Sequence, residues 1–92
     1  MSAALRQLRV RYAGEVQGVG FRYVVRGIAD RLGVAGVVEN LNDGSVQLVA
    51  EGAEEVLKQL LLQIRVSRLG MYVANEQVSW GAAEGLSGFY TR

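Results

Sequence analysis

A glycine-studded run, Gly14-Glu15-Val16-Gln17-Gly18-Val19-Gly20, leads straight into Phe21 and Arg22. A loop of this kind at the start of a helix offers N–H groups that have no intrahelical partner, and the helix dipole adds positive potential at the same place. The combination is a site for an anion. Gly18 and Gly20 let the backbone curl inward without Cβ obstruction. Arg22 then falls in the first helical turn, where a cation is disfavoured unless an anion offsets it. Its planar fork of donors matches phosphate or carboxylate. A solvated Arg beside an ordinary loop has the same spacing, and spacing alone leaves both readings open.

Absences narrow the chemistry further. The 92 residues include no His and no Cys, so a Ser-His-Asp or Cys-His centre, a thiolate zinc site and a disulfide framework are all excluded. An enzyme with this composition must work through Arg, carboxylates, amides, hydroxyls or backbone groups. Nine of the ten cationic residues are Arg, with Lys58 the exception; genomic base composition explains most of that bias more readily than function does. A net charge of +1 argues against a dominant nucleic-acid or membrane role. The N-terminus lacks the apolar run of a signal peptide, and no stretch approaches the roughly 20 apolar residues that span a bilayer. The expectation is a soluble, cytoplasmic protein of one domain, residues 1–92.

The elements that must position the loop are legible from periodicity. Leu8, Val10 and Tyr12 alternate with Arg9 and Arg11, which predicts a half-buried strand whose Arg residues coat the outer face. From Phe21 the spacing turns helical, with Phe21, Val25, Ile28 and Leu32 on one stripe and Arg22, Arg26 and Asp30 opposite. Gly33 stands where a helix C-terminal glycine belongs. Gly36–Leu41 and Ser45–Glu51 read as strands joined by a tight turn at Asn42-Asp43-Gly44. A second helix begins at Ala53, with Val56, Leu57, Leu60, Leu61 and Ile64 as its apolar face. Glu54 and Glu55 at its start and Arg65 near its end suit the dipole. Beyond Gly70 the pattern weakens: residues 71–74 and 77–82 suggest a long or bulged strand, and 89–91 a short terminal one. The order βαββαβ, with a possible short fifth strand, predicts an α+β ferredoxin-like two-layer sandwich. Two helices cover one face of an antiparallel sheet. That architecture serves many unrelated activities.

The run from Gly14 to Arg22 resembles the acylphosphatase signature, a Gly-x-Val-Gln-Gly-Val-x-Phe-Arg pattern. Gly36-Val37-Val38-Glu39-Asn40, Asp43-Gly44 and Glu51-Gly52 follow at similar spacing. The resemblance covers residues 8 to about 64. It implies a ferredoxin-like fold and a loop that binds the substrate phosphate through Val16, Gln17, Gly18, Val19, Gly20 and Phe21. It further implies that Arg22 grips that phosphate and that Asn40 positions the attacking water. The 65–85 segment lacks the Pro-containing connection usual in the family, and the chain finishes on Phe89-Tyr90-Thr91-Arg92 rather than a Phe-x-Ile-Arg-like strand. These departures are expected to affect the sheet edge, not the phosphate loop or Asn40.

The chemistry stands on its own terms as well. An acyl phosphate releases a carboxylate whose acid has a pKa of about 4, so little general-acid help is needed. Phosphoryl transfer through a loose transition state chiefly needs positioning and charge stabilisation. Loop amides and Arg22 supply both, an amide at Asn40 can hold water without deprotonating it, and the substrate phosphate can take the proton. The reading is therefore a metal- and cofactor-independent monomer acting on a small acyl phosphate. The alternative is a non-catalytic ferredoxin-like domain that binds an anion or RNA, or regulates a larger maturation protein. An RNA-binding sheet would display paired aromatics, and the central strands here offer Tyr12 among Val, Leu and Arg. Arg26 reads as part of a solvated helix face and Trp80 as packing; Tyr23 is left open as a wall of the site.

Overall fold

A computed structural model describes residues 4–92. The chain runs β1 (Leu5–Gly14), α1 (Phe21–Leu32), β2 (Ala35–Asn40), β3 (Val46–Ala53), α2 (Glu54–Val66), a 3₁₀ turn (Arg68–Tyr72), β4 (Val73–Ala82) and β5 (Phe89–Thr91). The strands lie in the order β4-β1-β3-β2-β5. Strands β1 to β4 pair antiparallel, as the alternation predicts. The fifth strand pairs with β2 in parallel, so the sheet is mixed. β1 is longer than its alternating stretch because it sits between β3 and β4, and both neighbours supply hydrogen bonds along it.

Both helices pack on one face of this sheet. Leu8, Val10 and Tyr12 point inward to meet Phe21, Val25, Ile28 and Ala29 of α1 and Leu57, Leu60, Leu61 and Ile64 of α2. Each fully buried Leu or Ile side chain contributes roughly 1.5–3 kcal/mol of transfer free energy. α1 ends at Gly33, whose left-handed backbone turns its N–H back to the carbonyls of Ala29 and Asp30, closing the helix as expected. Arg9 and Arg11 lie exposed on the opposite face. Trp80 packs against the core, and the Arg6 guanidinium lies 5.4 Å from its ring.

The weakly patterned segment forms the long, bulged strand that its sequence suggests, with a later start. Met71 and Tyr72 belong to the 3₁₀ turn, and β4 is one long strand with a bulge at Ala74, which has no partner between the Ala13–Asn75 and Gly14–Val73 pairs. Ser67 starts that turn, its hydroxyl accepting from the Leu69 N–H at 3.1 Å, while Leu69 is fully buried. No helix among the described residues is long and apolar enough to cross a membrane.

On the outer face Glu51 is only 4% exposed. Its carboxylate accepts from Gln7 Nε2 (2.8 Å) and from the N–H groups of Glu84 (2.7 Å), Gly85 (3.0 Å) and Leu86 (2.9 Å). Burial pushes this carboxyl up, yet the bonds from Glu84, Leu86, Gln7 and Gly85 outweigh it and hold the group below the usual carboxylate range. The β4–β5 connection is thereby pinned to β3, which seats β5 beside β2.

Candidate active site

Between β1 and α1 the chain makes an open loop. Gly18 and Gly20 adopt φ of 80° and 79°, the left-handed region that glycine enters without steric cost. Gly20 is also the N-cap of α1, which has no side-chain cap and no acidic residue in its first turn. Among the described residues, no protein acceptor meets the N–H of Gln17, Gly18, Val19, Gly20, Phe21 or Arg22. Unpaired N–H groups at a curled helix entrance form an anion-binding concavity.

That concavity is a cleft of about 320 Å³ lined by Val16, Gly18, Gly20, Phe21, Arg22, Tyr23, Arg26, Asn40 and Thr91. The structure thus gathers Arg22 and Asn40, 18 positions apart in sequence, at one opening. Arg22 Nη1 donates to the main-chain oxygen of Arg92 at 2.7 Å, which orients the guanidinium and leaves its other donors available. The same Arg92 oxygen accepts from the Asn40 N–H at 3.4 Å, and the Arg92 N–H donates to Val38 at 2.9 Å. Asn40 Oδ1 is buried and has no hydrogen-bond partner among the described residues. Buried polar atoms are normally paired, so the Asn40 side chain stands out as an amide whose oxygen the fold itself does not use.

Two loop residues face elsewhere. The Gln17 amide donates to the carbonyls of Leu41 (2.8 Å) and Ser45 (2.9 Å), tying the loop to the β2–β3 turn, and Val19 packs toward the core. Neither side chain lines the cleft; their contribution to it is backbone. Phe21 leans on Tyr12 with ring centroids 4.9 Å apart. Burial drives the Tyr12 phenol well above its ordinary value, with Glu76 adding to the effect and Arg65 opposing it. Tyr12 is therefore a neutral wall behind the loop. Tyr23 is 84% exposed at the mouth. Arg26 lines the cleft one turn along, 3.8 Å from Asp30.

The segment after residue 64 also reaches the loop. Tyr72 O accepts from the Glu15 N–H at 3.0 Å, and Arg68 Nη1 donates to Val19 O at 2.9 Å. Together with Arg92, these contacts come from parts of the chain with no motif of their own. Sequence spacing carries no signal for bonds that span 49 and 70 positions.

Comparison with known proteins gives the family. The family model for acylphosphatase matches residues 8–91. The chain belongs to the acylphosphatase family. It is 41% identical over 85 residues to the acylphosphatase of Thermotoga maritima, covering 92% of this chain and 94% of that protein. The crystal structure of acylphosphatase from Bacillus subtilis superposes with a TM-score of 0.85 at 35% identity, over 95% of this chain and 98% of that one. An acylphosphatase from Coxiella burnetii superposes with a TM-score of 0.84 at 32% identity, over 97% and 94% of the two chains. The acylphosphatase match therefore runs through the 3₁₀ turn, β4 and β5, well past residue 64. Among the described residues no group of three or more His, Cys, Asp or Glu is placed to hold a metal ion.

Proposed function

We propose that this protein hydrolyses the carboxyl–phosphate bond of small acyl phosphates, giving a carboxylate and inorganic phosphate. The observation that carries the reading is one cleft lined by Gly18, Gly20 and Phe21 of the loop, by Arg22 and by Asn40, with the loop N–H groups free of protein acceptors among the described residues. The loop amides and the Arg22 guanidinium take the phosphoryl oxygens and stabilise the charge that spreads over them as the bond to the acyl oxygen lengthens. The Asn40 side-chain amide hydrogen-bonds the water and directs its oxygen at phosphorus. The P–O bond to the acyl group breaks, its electron pair leaves with the carboxylate, and the water proton passes to a phosphoryl oxygen. No carboxylate lines the cleft, and a leaving group of this acidity needs no acid. The enzyme is proposed to act as a cytoplasmic monomer, with residues 1–92 as one catalytic domain and without metal or cofactor.

Purified protein assayed with benzoyl phosphate and acetyl phosphate tests this directly. Turnover unaffected by EDTA, with little hydrolysis of p-nitrophenyl phosphate, is expected. Absence of acyl-phosphate turnover, or strict dependence on added Mg²⁺ or Zn²⁺, would sink the proposal.

A further inference from the structure

The 3₁₀ turn grips the phosphate loop at both ends. At the near end Tyr72 O holds the Glu15 N–H, and at the far end Arg68 Nη1 holds Val19 O at 2.9 Å. Arg68 does more than touch a carbonyl. A Cβ built on Gly20 would come within 2.9 Å of Arg68 Nη2, so the guanidinium overhangs the Val19–Gly20 peptide. It is outside the residues that line the cleft, and none of the ion pairs among the described residues involves it.

A trans peptide is planar, with its C=O and N–H pointing in opposite directions. Fixing the direction of one therefore fixes the other. With Val19 O drawn outward to Arg68, the Gly20 N–H is turned to the opposite side. Glycine tolerates many backbone conformations, so contacts such as that of Arg68 on Val19 O, rather than sterics at Gly20, set the direction of this peptide. A flipped Val19–Gly20 peptide would present a carbonyl oxygen to the incoming phosphate in place of a donor.

We propose that Arg68 is a positioning residue for the reaction: it locks the Val19–Gly20 peptide so that the Gly20 N–H serves the phosphate. This rests on the reading of the loop as the phosphate site. Arg68 touches neither substrate nor water. It acts through the peptide, and its turn is anchored independently by buried Leu69 and by the Ser67 hydroxyl. The phosphate contacts it sets are made in ground state and transition state alike, so its loss raises KM and the phosphate inhibition constant together.

The test compares wild type, Arg68→Met, Arg68→Lys and Arg22→Ala by benzoyl phosphate kinetics, phosphate inhibition at about 0.05 M and 0.5 M salt, and the Gly20 amide resonance during phosphate titration. Arg68→Met keeps the apolar stem and loses the donors. It is expected to raise KM and the phosphate inhibition constant by on the order of 10-fold, equally at both salt concentrations. Its Gly20 amide should lose the phosphate-induced shift seen in wild type. Arg68→Lys keeps one donor without the overhanging second nitrogen and should fall between. An effect that disappears at high salt would show an Arg68 charge acting through space, which screening removes, and would overturn the proposal. Unchanged inhibition and an unchanged Gly20 shift in folded Arg68→Met would overturn it too. Should Arg68→Met fail to fold, wild-type inhibition and an unaltered Gly20 shift in Arg68→Lys are the overturning result. Arg22→Ala keeps the two failures apart: if it alone abolishes turnover and phosphate inhibition, the loop is the phosphate site and only the role of Arg68 is wrong.

Discussion

Two irregular segments of this protein use the same backbone device for opposite ends. The 83–88 connection turns the N–H groups of Glu84, Gly85 and Leu86 onto the Glu51 carboxylate, where Gln7 joins them. The 15–20 loop also gathers backbone N–H groups, but among the described residues no side chain fills it. One nest of donors is occupied by an internal anion and fastens β5 to the sheet. The other is held in shape from outside, through Arg68, Tyr72 and the Gln17 side chain. Filling such a nest stabilises the fold; leaving it open but rigid gives a site for someone else's anion.

The sharpest way to break this contrast is to remove the cation at the loop nest. Arg22→Ala should lower kcat/KM by on the order of 10³-fold and weaken phosphate inhibition, with a circular dichroism melt close to wild type. Arg22→Lys should recover little, because a point charge does not reproduce the planar fork. Full activity in the Lys variant would reduce the site to simple charge.

The matching change at the filled nest should do the reverse. Glu51→Gln turns an acceptor-only group into one that also donates toward four donors, and should cost about 3 kcal/mol, or on the order of 15 °C in Tm. Turnover per folded molecule at low temperature should stay near wild type. A variant of normal stability would refute the role given to Glu51.

Asn40→Ala separates water from phosphate within the loop site. It should cut kcat by about 10²-fold and leave the phosphate inhibition constant nearly unchanged. Asn42→Ala, in the turn, should retain most activity. If folded Asn40→Ala turns over normally while Asn42→Ala is dead, the catalytic amide is misassigned.

The smallest effect is in acid. Because the Glu51 carboxyl is held below its ordinary value when folded, its contribution to stability is complete above the unfolded pKa of about 4.3. It is lost as pH falls through the lower folded value. Lowering pH from 6 to 3.5 should therefore reduce Tm more in wild type than in Glu51→Gln, the difference isolating this group from Asp43 and Glu54, which are also held low. Equal slopes for the two proteins would contradict the assignment.

Much of this was legible in the residues. Alternation in Leu8–Tyr12 and helical spacing from Phe21 place the loop at a strand-to-helix junction, where β1 and α1 indeed put it. The Asn-Asp-Gly turn places Asn40 near a strand end, and the structure ends β2 there. What could not be read depends on distant partners. The parallel seat of β5, the grip of Arg68 and the bond from Arg22 to Arg92 are fixed by sheet order, which no local period encodes. Glu51 looks like an ordinary strand-end carboxylate until its partners at 84–86 are known.

β5 has three residues, only Phe89 among them is buried, and it lies at the sheet edge. Such elements open at a smaller free-energy cost than the whole fold. Arg92, immediately after it, holds both Arg22 and the Asn40 backbone. Partial opening of this edge therefore disarms the enzyme while its core is intact. In a urea series, activity should decline before the far-ultraviolet signal changes, and amide exchange at Val38 and Asn40 should exceed that of Leu8 and Leu48. Competent molecules are thus a subset of folded ones, sized by the docking of one short strand.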